Sequence, residues 1–256
     1  MRSLSLPASA LLALALTGSA LAQGSPQASP PGPYKPVPVK VAPLVTDPAL
    51  EAFRKQLAAV AQRKDRAALA RMVVPKGFFW ERDDGQGADA KKSSIDNLVA
   101  AFNLEDPDSP GWDVLVQVAA DPHVAPDPQK KGVACAPVVP DIDGKAFETL
   151  AQQTKTDPAE WAFPYAAGVE VRAEPKAEAP VVEKLGLALV RVTIDESPLH
   201  AVEGTSADWV RVITPSGKVG YIAAGTIGAL VSDQICYMKD ASGWKIAGLV
   251  GGGDQQ

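Results

Sequence analysis

The fold of the C-terminal half is decided by the stretch Trp209-Val210-Arg211-Val212-Ile213-Thr214-Pro215-Ser216-Gly217-Lys218-Val219-Gly220-Tyr221-Ile222. Two short apolar runs flank a turn, in which Pro215 presets one backbone angle and Gly217 allows a positive φ. The first run alternates, so that one face is formed by Trp209, Arg211 and Ile213 and the other by Val210 and Val212. The stretch therefore predicts a β-hairpin within a small β-domain.

The first 22 residues have the composition of a cleaved secretory signal peptide. Arg2 precedes a short apolar run from Leu11 to Leu16, and small residues stand at the positions that signal peptidase recognises, Ala20 and Ala22. We predict cleavage after Ala22 and export to the periplasm or secretion. The apolar run is too short to span a bilayer and no later stretch approaches the required length of about 18 apolar residues, so no membrane span is expected.

The charge of the chain argues against one class of partner, and its cysteines predict a cross-link. The formal net charge of −5 is spread along the chain without a long block of one sign, which argues against nucleic acid as a partner. Cys135 and Cys236 are the only two cysteines. In an exported protein they predict one disulfide across about 100 residues, the alternative being two unrelated buried thiols.

Helical periodicity predicts an α-rich domain over residues 47–160. Asp47 is predicted to cap a helix that starts at Pro48, and Asp65 to cap a second helix. Further helices are predicted from about Ser94 to Asn103, from Trp112 to Ala120, and through Phe147 and Leu150. Residues 23–46 precede this domain, and their many prolines predict a disordered linker.

From Tyr165 onward, short apolar runs alternate with turn residues in the manner of a small β-barrel. Within it, Gly186 to Ile194 is a candidate strand, Asp195 to Ala207 a polar loop, and Gln234 to Leu249 a second hairpin. The predicted fold class is therefore α+β, with the α-rich domain followed by a β-barrel domain over residues 161–256 that carries an added C-terminal hairpin.

The sequence contains no arrangement that indicates catalysis. There is no Gly-x-Ser-x-Gly elbow, and the histidines His123 and His200 fall in loops that predict solvent-facing side chains. Two histidines and one disulfide leave too few ligands for a zinc site, so neither a metal nor a cofactor is predicted. One alternative stays open: Trp80, Glu81 and Asp83 could line the pocket of a periplasmic hydrolase or small-molecule enzyme, or form a solvated loop.

Four segments, in order, carry a resemblance to the bacterial SH3-domain family: Val169–Pro175, Ala179–Leu185, Asp208–Val212 and Gly217–Ile222. They match its Val-Arg-x-x-Pro opening, its Val-(Ile/Val)-x-x-Leu strand, its Trp before a Val strand, and its closing Gly-x-x-Gly-(Trp/Tyr)-(Val/Ile). The sequence departs from the family at Glu170, where Asn is frequent, and in the length of residues 186–208.

The resemblance implies a five-stranded SH3-like barrel and a binding role without catalysis, directed at a cell-wall peptide or a protein partner in the cell envelope. The aromatic residues nearest to such a surface are the candidate ligand-binding residues, namely Tyr165, Trp209 and Tyr221. The alternative is that Trp209 and Tyr221 simply pack the barrel. A further alternative is a structural protein whose barrel only covers the N-terminal helices.

A second resemblance concerns the two ends of the chain. The segment from Phe53 to Phe79 and the ending Lys239–Ala247 are similar to the nuclear-transport-factor-like cone folds. No pocket is inferred from it.

Overall fold

The structure of the protein, a computed structural model, describes residues 32–82, 87–193 and 209–251. The predicted signal peptide with its cleavage after Ala22, the start of the predicted linker, Asp83, His200 and the polar loop from Asp195 to Ala207 lie outside the described residues. The described part combines five helices with three sheets, which confirms the predicted α+β class. None of its helices is both long and apolar enough to cross a membrane.

Four of the five described α-helices are capped by a side chain at their start, and the helix that begins at Gly111 is the exception. Their bounds are α1 Pro48–Gln62, α2 Arg66–Met72, α3 Ser94–Ala101, α4 Gly111–Ala120 and α5 Gly144–Thr154. Asp47 accepts a hydrogen bond from the Ala49 amide at 2.8 Å, and Asp65 accepts one from the Ala68 amide at 2.9 Å. Both predicted caps are therefore confirmed, because each carboxylate satisfies an amide that the first helical turn leaves unpaired.

The strands fall into three sheets. Their bounds in chain order are β1 Val39–Lys40, β2 Phe79–Arg82, β3 Ala125–Pro126, β4 Val133–Ala136, β5 Asp141–Ile142, β6 Trp161–Pro164, β7 Val169–Arg172, β8 Val181–Leu185, β9 Val190–Val192, β10 Trp209–Ile213, β11 Val219–Ala223, β12 Ile227–Ala229, β13 Gln234–Asp240 and β14 Gly243–Gly251. The five-stranded sheet has the strand order β2-β14-β13-β4-β3. The seven-stranded sheet has the order β12-β6-β9-β10-β11-β7-β8, and β1 and β5 form a two-stranded sheet.

The five-stranded sheet combines three strands from residues 79–136 with the C-terminal hairpin. β13 and β14 form the predicted C-terminal hairpin, and they lie between β2, which runs parallel to β14, and β4. A side chain on Gly248 would meet the Phe79 carbonyl oxygen at 2.5 Å, so glycine is what allows β14 and β2 to approach.

Helices α1 to α4 cover this sheet and share one core with it. The core includes Leu57, Leu69, Leu98, Leu115, Ile235, Tyr237 and Ile246. The division predicted at residue 160 therefore separates segments that share a core. The hairpin's inward residues need an apolar cover, and the N-terminal helices supply it.

The seven-stranded sheet contains the hairpin predicted from Trp209 to Ile222. β10 and β11 pair antiparallel, and Gly217 in their turn has φ 81°. Every strand contributes to a core formed by Ala162, Val171, Leu185, Val190, Val212, Ile222 and Ile227. Because all these residues come from the sheet itself, the sheet must curl to bury them. Over the described residues its strand order is linear, with β12 and β8 as edges, so it does not close into a barrel.

The end of the predicted linker is packed instead of forming a disordered spacer. The Tyr34 hydroxyl donates to the Ile213 carbonyl at 2.9 Å and accepts from the Arg191 amide at 3.2 Å. Val37 and Val39 are buried in a second core beside the seven-stranded sheet. Residues 32–41, which we call the strap, therefore belong to the fold. Their prolines favour the extended conformation that the strap adopts, which reduces the entropy lost on ordering.

We expect Tyr34→Phe to lower the unfolding free energy by about 1–3 kcal/mol, because the Ile213 carbonyl and the Arg191 amide lose their partner while the ring is retained. Urea denaturation measures the change. Tyr221→Phe is the matched control, since the Tyr221 hydroxyl makes no hydrogen bond within the described part of the chain. Equal midpoints for Tyr34→Phe and wild type would contradict this role of the hydroxyl.

Asp47 connects the start of α1 to the C-terminal hairpin. Its Oδ2 accepts hydrogen bonds from Lys239 Nζ and from Trp244 Nε1, each at 3.0 Å. The hydrogen bond from Lys239, followed by those from the Ala49 amide and Trp244, lowers the pKa of Asp47 from 3.8 to about 2. The carboxylate therefore stabilises the folded chain above the unfolded pKa of 3.8, and this stabilisation is lost as the pH falls towards about 2.

We expect Asp47→Asn to lower the urea midpoint near neutral pH, because the neutral amide loses the charge-assisted bond from Lys239. The difference from wild type should shrink between about pH 4 and pH 2, where the wild-type carboxylate becomes protonated. Midpoints measured at pH 6, 4, 3 and 2 test this expectation. A difference that stays constant over this range would contradict it.

Candidate functional site

The hairpin β10–β11 presents two of the three predicted binding residues on one face. Arg211 lies directly opposite Tyr221, and Tyr221 lies opposite Arg172 of β7. Trp209 precedes Arg211 by two residues and therefore lies on the same face. All four side chains are half-buried. We call Trp209, Arg211, Tyr221 and Arg172 the aromatic–arginine patch.

The reverse face of the same hairpin fixes this patch in place. Val212 and Ile222 are fully buried in the core of the curled sheet, and Val210 packs against them. Alternation along the strands then forces the patch residues to the opposite side. The predicted faces of the hairpin are therefore confirmed, and the two aromatic rings stand on a rigid pair of strands.

Glu170 is the acidic residue beside the patch. Its carboxylate contacts Arg172 Nη2 at 2.5 Å and Lys184 Nζ at 3.1 Å. The hydrogen bond from Lys184, together with the charges of Lys184 and Arg172, lowers the pKa of Glu170. Arg172 also donates to the Ala179 carbonyl at 2.8 Å. Glu170 thus orients Arg172 and neutralises part of the local positive charge.

Tyr165, the third predicted binding residue, is not brought together with the other two. It follows β6, and β9 and β10 separate β6 from β11. Its ring stacks on His123, with 3.5 Å between ring centroids and 13° between planes. Burial raises the pKa of the Tyr165 hydroxyl.

His123 differs from the prediction that its side chain faces solvent. Only 17% of the side chain is exposed, and Nδ1 lies 3.0 Å from Asp121 Oδ1. Asp121 precedes His123 by two residues, so this contact is local, whereas the stacking partner Tyr165 is distant in sequence and could not be inferred from the residues around His123. The His123 ring, which contacts Asp121, stacks on the Tyr165 ring and so holds Tyr165 against the rest of the protein.

The structure describes Trp80 and the strand position of Glu81, two of the three residues of the alternative pocket. Trp80 and Glu81 lie in β2, opposite Leu249 and Val250 of β14. The Trp80 side chain packs against the helix-covered core. Asp83 lies outside the described residues, so the enzymatic alternative stays a prediction.

Cys135 and Cys236 form the predicted disulfide between neighbouring strands β4 and β13. Asp127 Oδ2 lies 3.7 Å from Cys135 Sγ, and the three potential ligand atoms lie within 4.8 Å of one another. Because both sulfurs are consumed in the bridge, this group offers a metal a single carboxylate. The cysteines are therefore structural in the oxidised protein.

The hairpin pattern places Arg211 on the patch face but does not mark it as a binding residue, and no local pattern marks Arg172. The signal for Arg211 was present, because the hairpin register sets it opposite Tyr221. Arg172 reaches the patch through the pairing of β11 with β7, which the local sequence does not encode.

Comparisons with known proteins give little similarity. No protein-family model matches the chain, and no curated protein matches it. Among solved structures, the chain is similar to an NTF2-like protein with a cystatin-like fold from Novosphingobium aromaticivorans. The identity is 12% and the TM-score 0.24, over 80% of this chain and 79% of that chain. At this TM-score the similarity carries no argument about fold or function.

Proposed function

We propose that the protein is an exported, non-enzymatic binding protein of the bacterial cell envelope that docks an extended peptide segment of a partner on the aromatic–arginine patch. The observation that carries the proposal is the placement of Trp209 and Tyr221 on one half-exposed face of a hairpin whose other face is core. Aromatic rings held on a rigid support bind peptides at a low entropic cost.

The proposal includes an SH3-like character for the seven-stranded sheet. The four segments that resemble the bacterial SH3 family contain β7, β8, β10 and β11, and these four strands are neighbours in the order β10-β11-β7-β8. Their shared core supports the same interpretation. A binding role follows from this resemblance, and the patch supplies the surface for it.

Export is supported by the disulfide. Both cysteines are paired, and such bridges persist in oxidising compartments such as the periplasm. Together with the predicted signal peptide, this favours a partner in the envelope.

The experiment that tests the proposal uses the mature chain, residues 23–256, and a randomised pool of octapeptides blocked at both ends. Peptides retained by the immobilised protein are identified by mass spectrometry, and their affinities are measured by calorimetry. We expect Trp209→Ala to weaken binding about thirtyfold, as for an aromatic anchor worth about 2 kcal/mol. Tyr221→Ala should weaken the same peptides.

Trp244→Ala is the matched control, because Trp244 is also a half-buried tryptophan but lies in β14 of the other sheet. It should leave peptide affinity unchanged. Retention of no peptide, or affinities that neither Trp209→Ala nor Tyr221→Ala changes, would refute docking on the patch.

A further inference from the structure

We infer that the partner segment is acidic and that one of its glutamate or aspartate side chains binds Arg211 in the aromatic–arginine patch. The inference rests on the peptide-docking function proposed above. It adds the chemical class of the partner and the residue that recognises it.

The first step is the pairing of the positive charges on the seven-stranded sheet. Four cations of its strands and of the β10–β11 turn have a glutamate within 4.0 Å: Arg172 and Lys184 share Glu170, Arg191 contacts Glu160, and Lys218 contacts Glu183. Arg211 has no carboxylate within this distance among the described residues. Within the described residues it is therefore the one cation of these strands and of the β10–β11 turn that has no carboxylate partner.

The second step is the position of Arg211. Its side chain is half-buried, with Tyr221 directly opposite and Trp209 next along the same face. Partial burial removes some of the water that would otherwise solvate the guanidinium, so a hydrogen-bonding anion gains more there than at a fully exposed arginine. The planar guanidinium can donate two parallel hydrogen bonds to one carboxylate.

The third step is the net charge around the patch. Arg172 and Lys184 share Glu170, and Arg211 has no carboxylate within 4.0 Å among the described residues, so these four side chains carry two more positive charges than negative ones. The whole chain has a formal net charge of −5. An acidic peptide is therefore attracted to this face and repelled by the average surface, which favours this site over others.

The test compares two pools of octapeptides blocked at both ends, so that any carboxylate belongs to a side chain. One pool contains glutamate and aspartate, and in the other these residues are replaced by glutamine and asparagine. We expect the wild-type mature chain to prefer the acidic pool and to lose affinity as NaCl is raised from about 0.05 to 0.5 M. Arg211→Gln should weaken the acidic peptides by about tenfold or more, the loss expected for a hydrogen bond to a charged group.

Two further variants distinguish specific binding of a carboxylate by Arg211 from a general attraction of acidic peptides to positive charge. Lys218→Gln removes one cation of the same sheet that already has a glutamate partner, and it should change affinity less than threefold. Arg211→Lys keeps the charge but loses the planar fork, and its affinity should fall between those of wild type and Arg211→Gln. Circular dichroism and the thermal midpoint check that each variant folds as the wild type does.

The outcomes distinguish this inference from the function on which it rests. If both pools bind equally through Trp209 and Arg211→Gln has no effect, peptide docking stands and the acidic partner is refuted. An equal loss for Lys218→Gln and Arg211→Gln would also refute a specific role for Arg211. If neither pool is retained, both the docking function and its acidic partner are refuted.

Discussion

The double variant Cys135→Ala/Cys236→Ala is expected to lower the unfolding free energy by about 4 kcal/mol. The disulfide closes a loop with a sequence separation of 101 residues, and the entropy that such a bridge removes from the unfolded chain is worth about 4–5 kcal/mol. The bridge also joins β4 to β13, strands contributed by distant parts of the chain to one sheet. Urea denaturation of the oxidised wild type and of the double variant measures the loss.

Reduced wild-type protein is the natural control for this prediction. Its midpoint should approach that of the double variant, because both lack the cross-link and keep small side chains at the two positions. Cys135 and Cys236 are 3% and 0% exposed, so reduction requires a reductant together with partial denaturation. If the oxidised wild type and the double variant unfold at the same denaturant concentration, the bridge does not stabilise the fold in the expected way.

Local features of this fold could be predicted from the sequence. The caps Asp47 and Asp65 act within three residues of their own position, and the β10–β11 hairpin is set by a turn between two adjacent runs. The disulfide could be predicted because Cys135 has a single possible partner, Cys236. In each case the residues nearby in sequence, or the number of cysteines, leave only a few possible structures.

Pairings between distant segments could not be predicted in the same way. The apolar run from Ile235 to Met238 indicates that this strand of the C-terminal hairpin is buried, but it does not say which element covers it. The cover consists of the N-terminal helices, and β2 joins the sheet in parallel beside β14. The strap was missed for a related reason, because its proline content indicates an extended chain and contains no information about the Tyr34 contacts with β9 and β10.

The candidate site shows the same division. Register within one hairpin brings Trp209 and Tyr221 together, and the sequence was sufficient for that. The role proposed for Arg211 depends on where the glutamates lie, since Glu160, Glu170 and Glu183 contact other cations. Only the three-dimensional arrangement shows which arginine is left without a carboxylate in the described structure.

Trp161→Ala is expected to lower the unfolding free energy by about 3–5 kcal/mol, since it empties a site in the second core. Trp161 is 0% exposed. Its ring meets the edges of Tyr34 in the strap and Phe147 in α5, with centroid distances of 5.2 and 6.3 Å, and its Nε1 donates to Thr156 Oγ1 at 2.8 Å. One side chain thus holds the strap and α5 against the seven-stranded sheet.

The expected loss has a local signature that distinguishes this role from general destabilisation. Proteolysis under native conditions should cleave the strap faster in Trp161→Ala than in wild type, because the Tyr34 ring loses its support. Trp161→Phe is the matched control: it keeps most of the packing, loses the bond to Thr156, and should cost about 1 kcal/mol. If Trp161→Ala unfolds more easily while the strap stays protected, the hydrogen bonds of Tyr34 hold the strap without the ring contact, and the Tyr34→Phe variant then becomes the one that releases it.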